Sequence, residues 1–149
     1  MKNYRVVFIV LMVLTLIGCT SRHAANHAED ALEAFFNQVE DANLLSIEEV
    51  SWSMVKGSKE FTRSPDAYYF KITYYESPEN QQASTLKTAM VIIHEEPWAS
   101  LAVFFEEHEH YAIALEMYQR ELSASRSRSG VLSEKQVNAM LQRIKAKQD

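Results

Sequence analysis

A chain of 149 residues, 47% hydrophobic and 23% charged, is the size of one common globular domain and leaves no room for two full cores. Its formal charge of −5 argues against nucleic acid or an anionic lipid surface as the main partner, and its single cysteine excludes an internal disulfide.

The amino end has the three parts of an export signal. Lys2 and Arg5 give a positive start, Val6 to Ile17 run apolar with Thr15 the only polar residue, and a small residue, Gly18, precedes Cys19. Crossing a bilayer takes about 20 apolar residues, so the run reads as a secretory signal over 1–18 rather than a membrane span. The end of this stretch, Leu16-Ile17-Gly18-Cys19, resembles the lipobox of bacterial lipoproteins. The resemblance covers only the signal. It implies that the Cys19 sulfur is diacylglycerated, that the chain is cut before Cys19, and that the new amine receives a further fatty acyl chain of the palmitate kind. Two or more chains hold stably, whereas one myristoyl chain binds with only about 10⁴ M⁻¹. Thr20 is not the aspartate associated with inner-membrane retention, so the resemblance places the protein on the periplasmic face of the outer membrane. In a single-membrane host it implies the outer face of the plasma membrane. Losing Lys2 and Arg5 takes the formal charge from −5 to −7.

Residues 19–26 read as a lipidated tether, small and polar, able to lift a domain about 20 Å from the membrane. A small α+β domain is expected over 27–125. It opens with an amphipathic helix from about Ala24 to Leu45, because Ala28, Ala31, Leu32, Phe35, Val39 and Ala42 recur at steps of three and four. The period then drops to two, which predicts a three-stranded antiparallel meander over Val50 to Lys56, Asp66 to Glu76 and Leu86 to Glu95. In the second strand Tyr68, Phe70, Ile72 and Tyr74 form a core face. Ala89 to Ile93 is apolar on both faces and suits a strand that is covered on both sides or paired centrally. Pro97 suits a helix start, and Trp98, Leu101, Phe105, Ala112, Leu115 and Leu122 keep helical spacing for a long helix to about Ser123. Leu101, Val103 and Phe105 also alternate, so a further strand over Ser100 to Phe105 is the alternative to the helix there. Residues 126–132 form a Ser/Arg linker. A short amphipathic helix follows over 133–147, with Ser133 and Gln136 at capping-box spacing, Leu132 and Val137 as its staple, and Val137, Met140, Leu141 and Ile144 as its stripe.

Few chemistries are open to such a chain. After cleavage only Gly57 and Gly130 remain as glycines, too few for a phosphate loop, a dinucleotide turn or a nucleophile elbow. No catalytic residue and no cofactor is expected, and the chain reads as a non-enzyme. His94, His108 and His110, set among Glu95, Glu96, Glu106, Glu107 and Glu109, are the metal candidates, since imidazole with carboxylate suits zinc or copper. In a helix His108 and His110 would point about 200° apart and share no ion; in a turn or strand they point the same way. His23 and His27 have chelating spacing but fall in or beside the tether, where helix is not expected to hold. Tyr69 and Tyr75, on the second strand's other face, are the candidate anchors for a partner. Beyond the lipobox the residues resemble no family whose site can be carried over. The resulting expectation is a lipid-anchored module that binds an envelope protein, with a metal-binding envelope protein as the alternative.

Overall fold

The computed structural model describes residues 26–39, 44–57, 66–77, 84–95, 99–124 and 128–148. Residues 1–18, read as a signal, and Cys19, Thr20, His23, Pro97 and Trp98 lie outside the described residues. Helix α1 covers 26–36. Four strands follow, β1 (Leu44–Val55), β2 (Ala67–Glu76), β3 (Thr85–His94) and β4 (Ser100–Phe105), then α2 (Tyr111–Ser123), β5 (Arg128–Val131) and α3 (Glu134–Gln148). Every pairing is antiparallel and the sheet runs β4-β3-β2-β1-β5. The α+β character expected from sequence is present; the three-stranded meander and the long helix are not.

Two corrections make the sheet five-stranded. Ser100 to Phe105 is strand β4, in register with β3 from His94↔Ser100 to Ala89↔Phe105. A β3 apolar on both faces needs a neighbour on each side, and β4 supplies the second one. The helix of this region therefore begins only at Tyr111, after a turn over 106–110. The segment read as a linker contains β5, which pairs with β1 through Ser51↔Val131 and Trp52↔Gly130. Gly130 lies close against Trp52 there, since a Cβ would stand 3.0 Å from the indole nitrogen and the ring would have to give way by a few tenths of an ångström. A smaller correction concerns the first helix, which stops at 36; β1 starts at Leu44, earlier than alternation suggests, because register shifts between Leu44 and Ser46 and between Ile47 and Glu49 break the period of two.

The layers follow from which strand faces are apolar. Ala28, Ala31, Leu32 and Phe35 of α1, with Val137, Met140 and Ile144 of α3, cover Val50, Tyr68, Phe70, Ile72, Tyr74, Ala89, Val91 and Ile93. On the opposite face Ala114 and Tyr118 of α2 cover Ala67, Tyr69 and Met90. The last helix is a built-in part of the first layer. Its capping box forms, with the Ser133 amide donating to Gln136 Oε1 at 2.9 Å and the Gln136 amide to Ser133 Oγ at 3.4 Å. Leu132 and Val137 are buried beside it. Arg143 reaches Glu29 at 2.7 Å and Lys147 reaches Glu33 at 3.1 Å, tying α3 to α1. Among the described residues no helix is long and apolar enough to cross a membrane.

A cleft at the start of the first helix

The first turn of α1 lies over the ends of β2 and β3. Because Ala28, Ala31, Leu32 and Phe35 are fully buried, this turn is held and His27 is held with it. Its ring packs on Tyr68, centroids 4.3 Å apart, and His27 Nε2 lies 2.8 Å from Glu95 Oε1. His27 Nδ1 is buried and, among the described residues, makes no hydrogen bond, the Asp30 carboxylate standing 4.0 Å off. Glu95 follows the last residue of β3 and is fixed by its own amide, which donates to the Asp66 carbonyl at 2.9 Å. Burial first, and then the charges of Glu95 and Asp66, push the Tyr68 phenol up to about 12, so it stays protonated and also donates to Glu95.

His27, Asp30 and Glu95 form one wall of a cleft of about 620 Å³ between α1 and the adjoining ends of β3 and β4. Ile93, Leu101 and Ala99 give it apolar surface, while Asp30, Glu95, His94 and Ser100 ring it with polar groups. Across Glu95 a second, smaller hollow of about 200 Å³ continues along the same end of the sheet, lined by Trp52, Asp66, Tyr68 and Arg128. His94 Nδ1 lies 3.0 Å from Ser100 Oγ, a contact that direct opposition on β3 and β4 produces by itself. Among the described residues His94 has no carboxylate partner, so this pair lacks the third group that would orient a base toward a nucleophile. The cleft thus combines apolar walls with two carboxylates, two imidazoles and a hydroxyl.

The three histidines proposed from sequence do not converge. His94 sits at the Ser100 end of the β3–β4 ladder, while His108 and His110 follow Phe105 at the other, about 17 Å away at 3.4 Å per residue. His108 and His110 do come together, in a turn as one reading allowed, with ring centroids 5.4 Å apart. Both rings rest on Phe104, and His108 Nδ1 accepts the His110 amide at 3.1 Å. Among the described residues no group of three histidine, cysteine or acidic side chains is placed to hold a metal ion.

The tyrosine anchors divide. Tyr69 is 4% exposed beneath α2, part of a core and closed to a partner. Tyr75 lies outside that core and is half-buried, and the neighbouring Glu48 carboxylate raises its phenol above the ordinary value. The cleft-lining residue that sequence reasoning set aside is His27. The signal for it was present, since the apolar series starting at Ala28 puts His27 in the first turn of α1, one turn before Ala31. Comparison with family models, with curated proteins and with solved structures returns no match to this chain.

Proposed function

We propose that this chain is a lipid-tethered, non-enzymatic interaction module of the bacterial envelope, anchored through Cys19 and engaging an envelope protein at the cleft beside His27. The anchor rests on the order of charge, apolar run, Gly18 and Cys19, and on its resemblance to a lipobox. In a double-membrane host the anchoring surface is the periplasmic face of the outer membrane. The observation that carries the binding role is the cleft of about 620 Å³, whose apolar walls end in the His27–Glu95 pair. His27 follows Cys19 by eight residues, so the cleft opens within about 27 Å of the lipid at 3.4 Å per residue. A partner that fills it is therefore within reach of the membrane surface.

Two measurements in the native host test this. Labelled palmitate should enter the wild-type protein and not the Cys19→Ser variant. A photo-crosslinking residue at Ser100, on the cleft rim, should trap a discrete adduct that the same residue at Ile113, exposed on α2, does not. Equal labelling of both proteins removes the anchor; adducts absent at Ser100, or equal at the two positions, remove the binding site.

A further inference from the structure

Among the described residues, the sheet ends on one side in a strand with none of the usual protection. Edge strands are normally kept from pairing with other chains by lysine, proline, bulges or a covering element. Ser100-Leu101-Ala102-Val103-Phe104-Phe105 carries no charge, no proline and no glycine, and its ladder with β3 has no register shift. Among the described residues its other edge pairs with nothing.

Two hydrogen bonds at the margins of the sheet fix which backbone groups face outward. The Glu95 amide donates to the Asp66 carbonyl, and the Leu132 amide to the Val50 carbonyl, each at 2.9 Å. Backbone groups in an antiparallel sheet point alternately to either side, so the registers propagate both bonds across all five strands. The two starting points agree. They assign Ser100, Ala102 and Phe104 to the β3 ladder and direct the N–H and C=O of Leu101, Val103 and Phe105 away from the sheet. The side chains of those three residues lie on the α1 side, and Leu101, 43% exposed, forms the lip of the cleft.

We infer that β4 is a docking edge for an extended, basic segment of another protein, which adds as a sixth strand and places one side chain in the cleft. This rests on the binding role proposed above and specifies its chemistry. The charges choose the occupant. Asp30 and Glu95 stand at the Ser100 end of β4, and the exposed Glu109 follows the Phe105 end beyond Glu106, which Thr88 holds, and Glu107, which Lys87 pairs, so lysine or arginine at the ends of an added strand meets carboxylates. A second copy of this chain is disfavoured for the same reason. Antiparallel β4–β4 pairing sets the acidic start of each copy against the acidic end of the other, in a chain whose formal charge is already −5.

The test uses the full chain in detergent micelles and fluorescence anisotropy of a labelled peptide, Lys-Lys-Val-Thr-Val-Thr-Val-Thr-Lys-Lys. Saturable binding is expected, weakening with salt. Glutamate in place of the lysines, or N-methylation of the central amides, should weaken it at least about tenfold, the scale on which a few backbone hydrogen bonds act. Leu101→Pro deletes an outward amide without touching the β3 ladder and should weaken binding similarly. Ser129→Pro deletes an outward amide on the opposite edge strand and should leave binding unchanged. Equal binding of the methylated peptide, or equal loss in both proline variants, overturns the proposal. The methylated peptide against wild-type protein decides the matter if Leu101→Pro does not fold. No binding to the full chain, including the case in which its own residues 19–25 fill the edge, also overturns it, as does a dimer in sedimentation that the peptide fails to dissociate. Crosslinks at Ser100 that persist alongside any of these results would leave the cleft as a binding site and remove only the strand-addition mode.

Discussion

Gly130 offers the sharpest test of the sheet, because it sits in a segment that pairs with β1 only if the fifth strand is real. A Cβ there would lie 3.0, 3.2 and 3.3 Å from three atoms of the Trp52 indole. These distances fall short of ordinary contact by a few tenths of an ångström, and Trp52 is half-buried, so its ring can swing by that much. The backbone of Gly130 is not in the left-handed region, and alanine also gains about 0.4–1 kcal/mol by restricting the unfolded chain. Gly130→Ala should therefore change stability by less than about 1 kcal/mol. Gly130→Val drives branched carbons into the ring plane and should cost about 1–3 kcal/mol, as overpacking does. In urea titrations followed by circular dichroism, Trp52→Ala should abolish most of the valine penalty, giving a coupling above about 1 kcal/mol in the double-mutant cycle. Additive effects, or a valine variant as stable as wild type, would show that residues 128–131 do not lie against Trp52.

Two other outcomes follow from the first layer. Phe35 is fully buried against Phe36, Tyr74 and Phe105, so Phe35→Ala should cost about 3–5 kcal/mol, a large part of a typical domain's 5–15 kcal/mol, and lower the urea midpoint accordingly. The Arg143 guanidinium, chiefly by hydrogen bonding, holds the Glu29 carboxyl below its ordinary range. A carboxylate lowered in this way adds stability in full above its unfolded value and loses it as the pH falls through its folded value. Arg143→Ala should thus destabilise by up to about 1 kcal/mol at neutral pH, since Arg143 is itself more than half exposed, and the difference from wild type should vanish in acid. A gap that persists unchanged at low pH would assign the effect to packing of the arginine stem instead.

Much of the fold was legible because its signals were local. Alternation located β2 and β3 to within a residue or two, and the Ser133–Gln136 spacing placed α3. What escaped was decided by distant residues. Leu101, Val103 and Phe105 satisfy both periods, and only the unfilled side of β3 makes that run a strand. Arg128 to Val131 is polar enough for a loop and becomes β5 because Trp52 offers a ring and Gly130 has no side chain to oppose it. Leu44 to Glu49 loses its alternation to two bulges. The site was hidden for a related reason. His27 meets Glu95, 68 residues on, and spacing along the chain carries no trace of such a meeting. Tyr69 stood out, with Tyr75, as a tyrosine open to a partner because alternation along β2 does not say which element covers its second face, and α2 covers it.

The placement of α3 beside α1 bears on how the polypeptide acquires its structure. Glu29 and Glu33 near one end find their cations at Arg143 and Lys147 near the other, and β1, the first strand made, awaits β5 to complete its ladder. Contacts so far apart in sequence slow the search for the native state. The opening helix can settle only once nearly the whole chain is present to receive it.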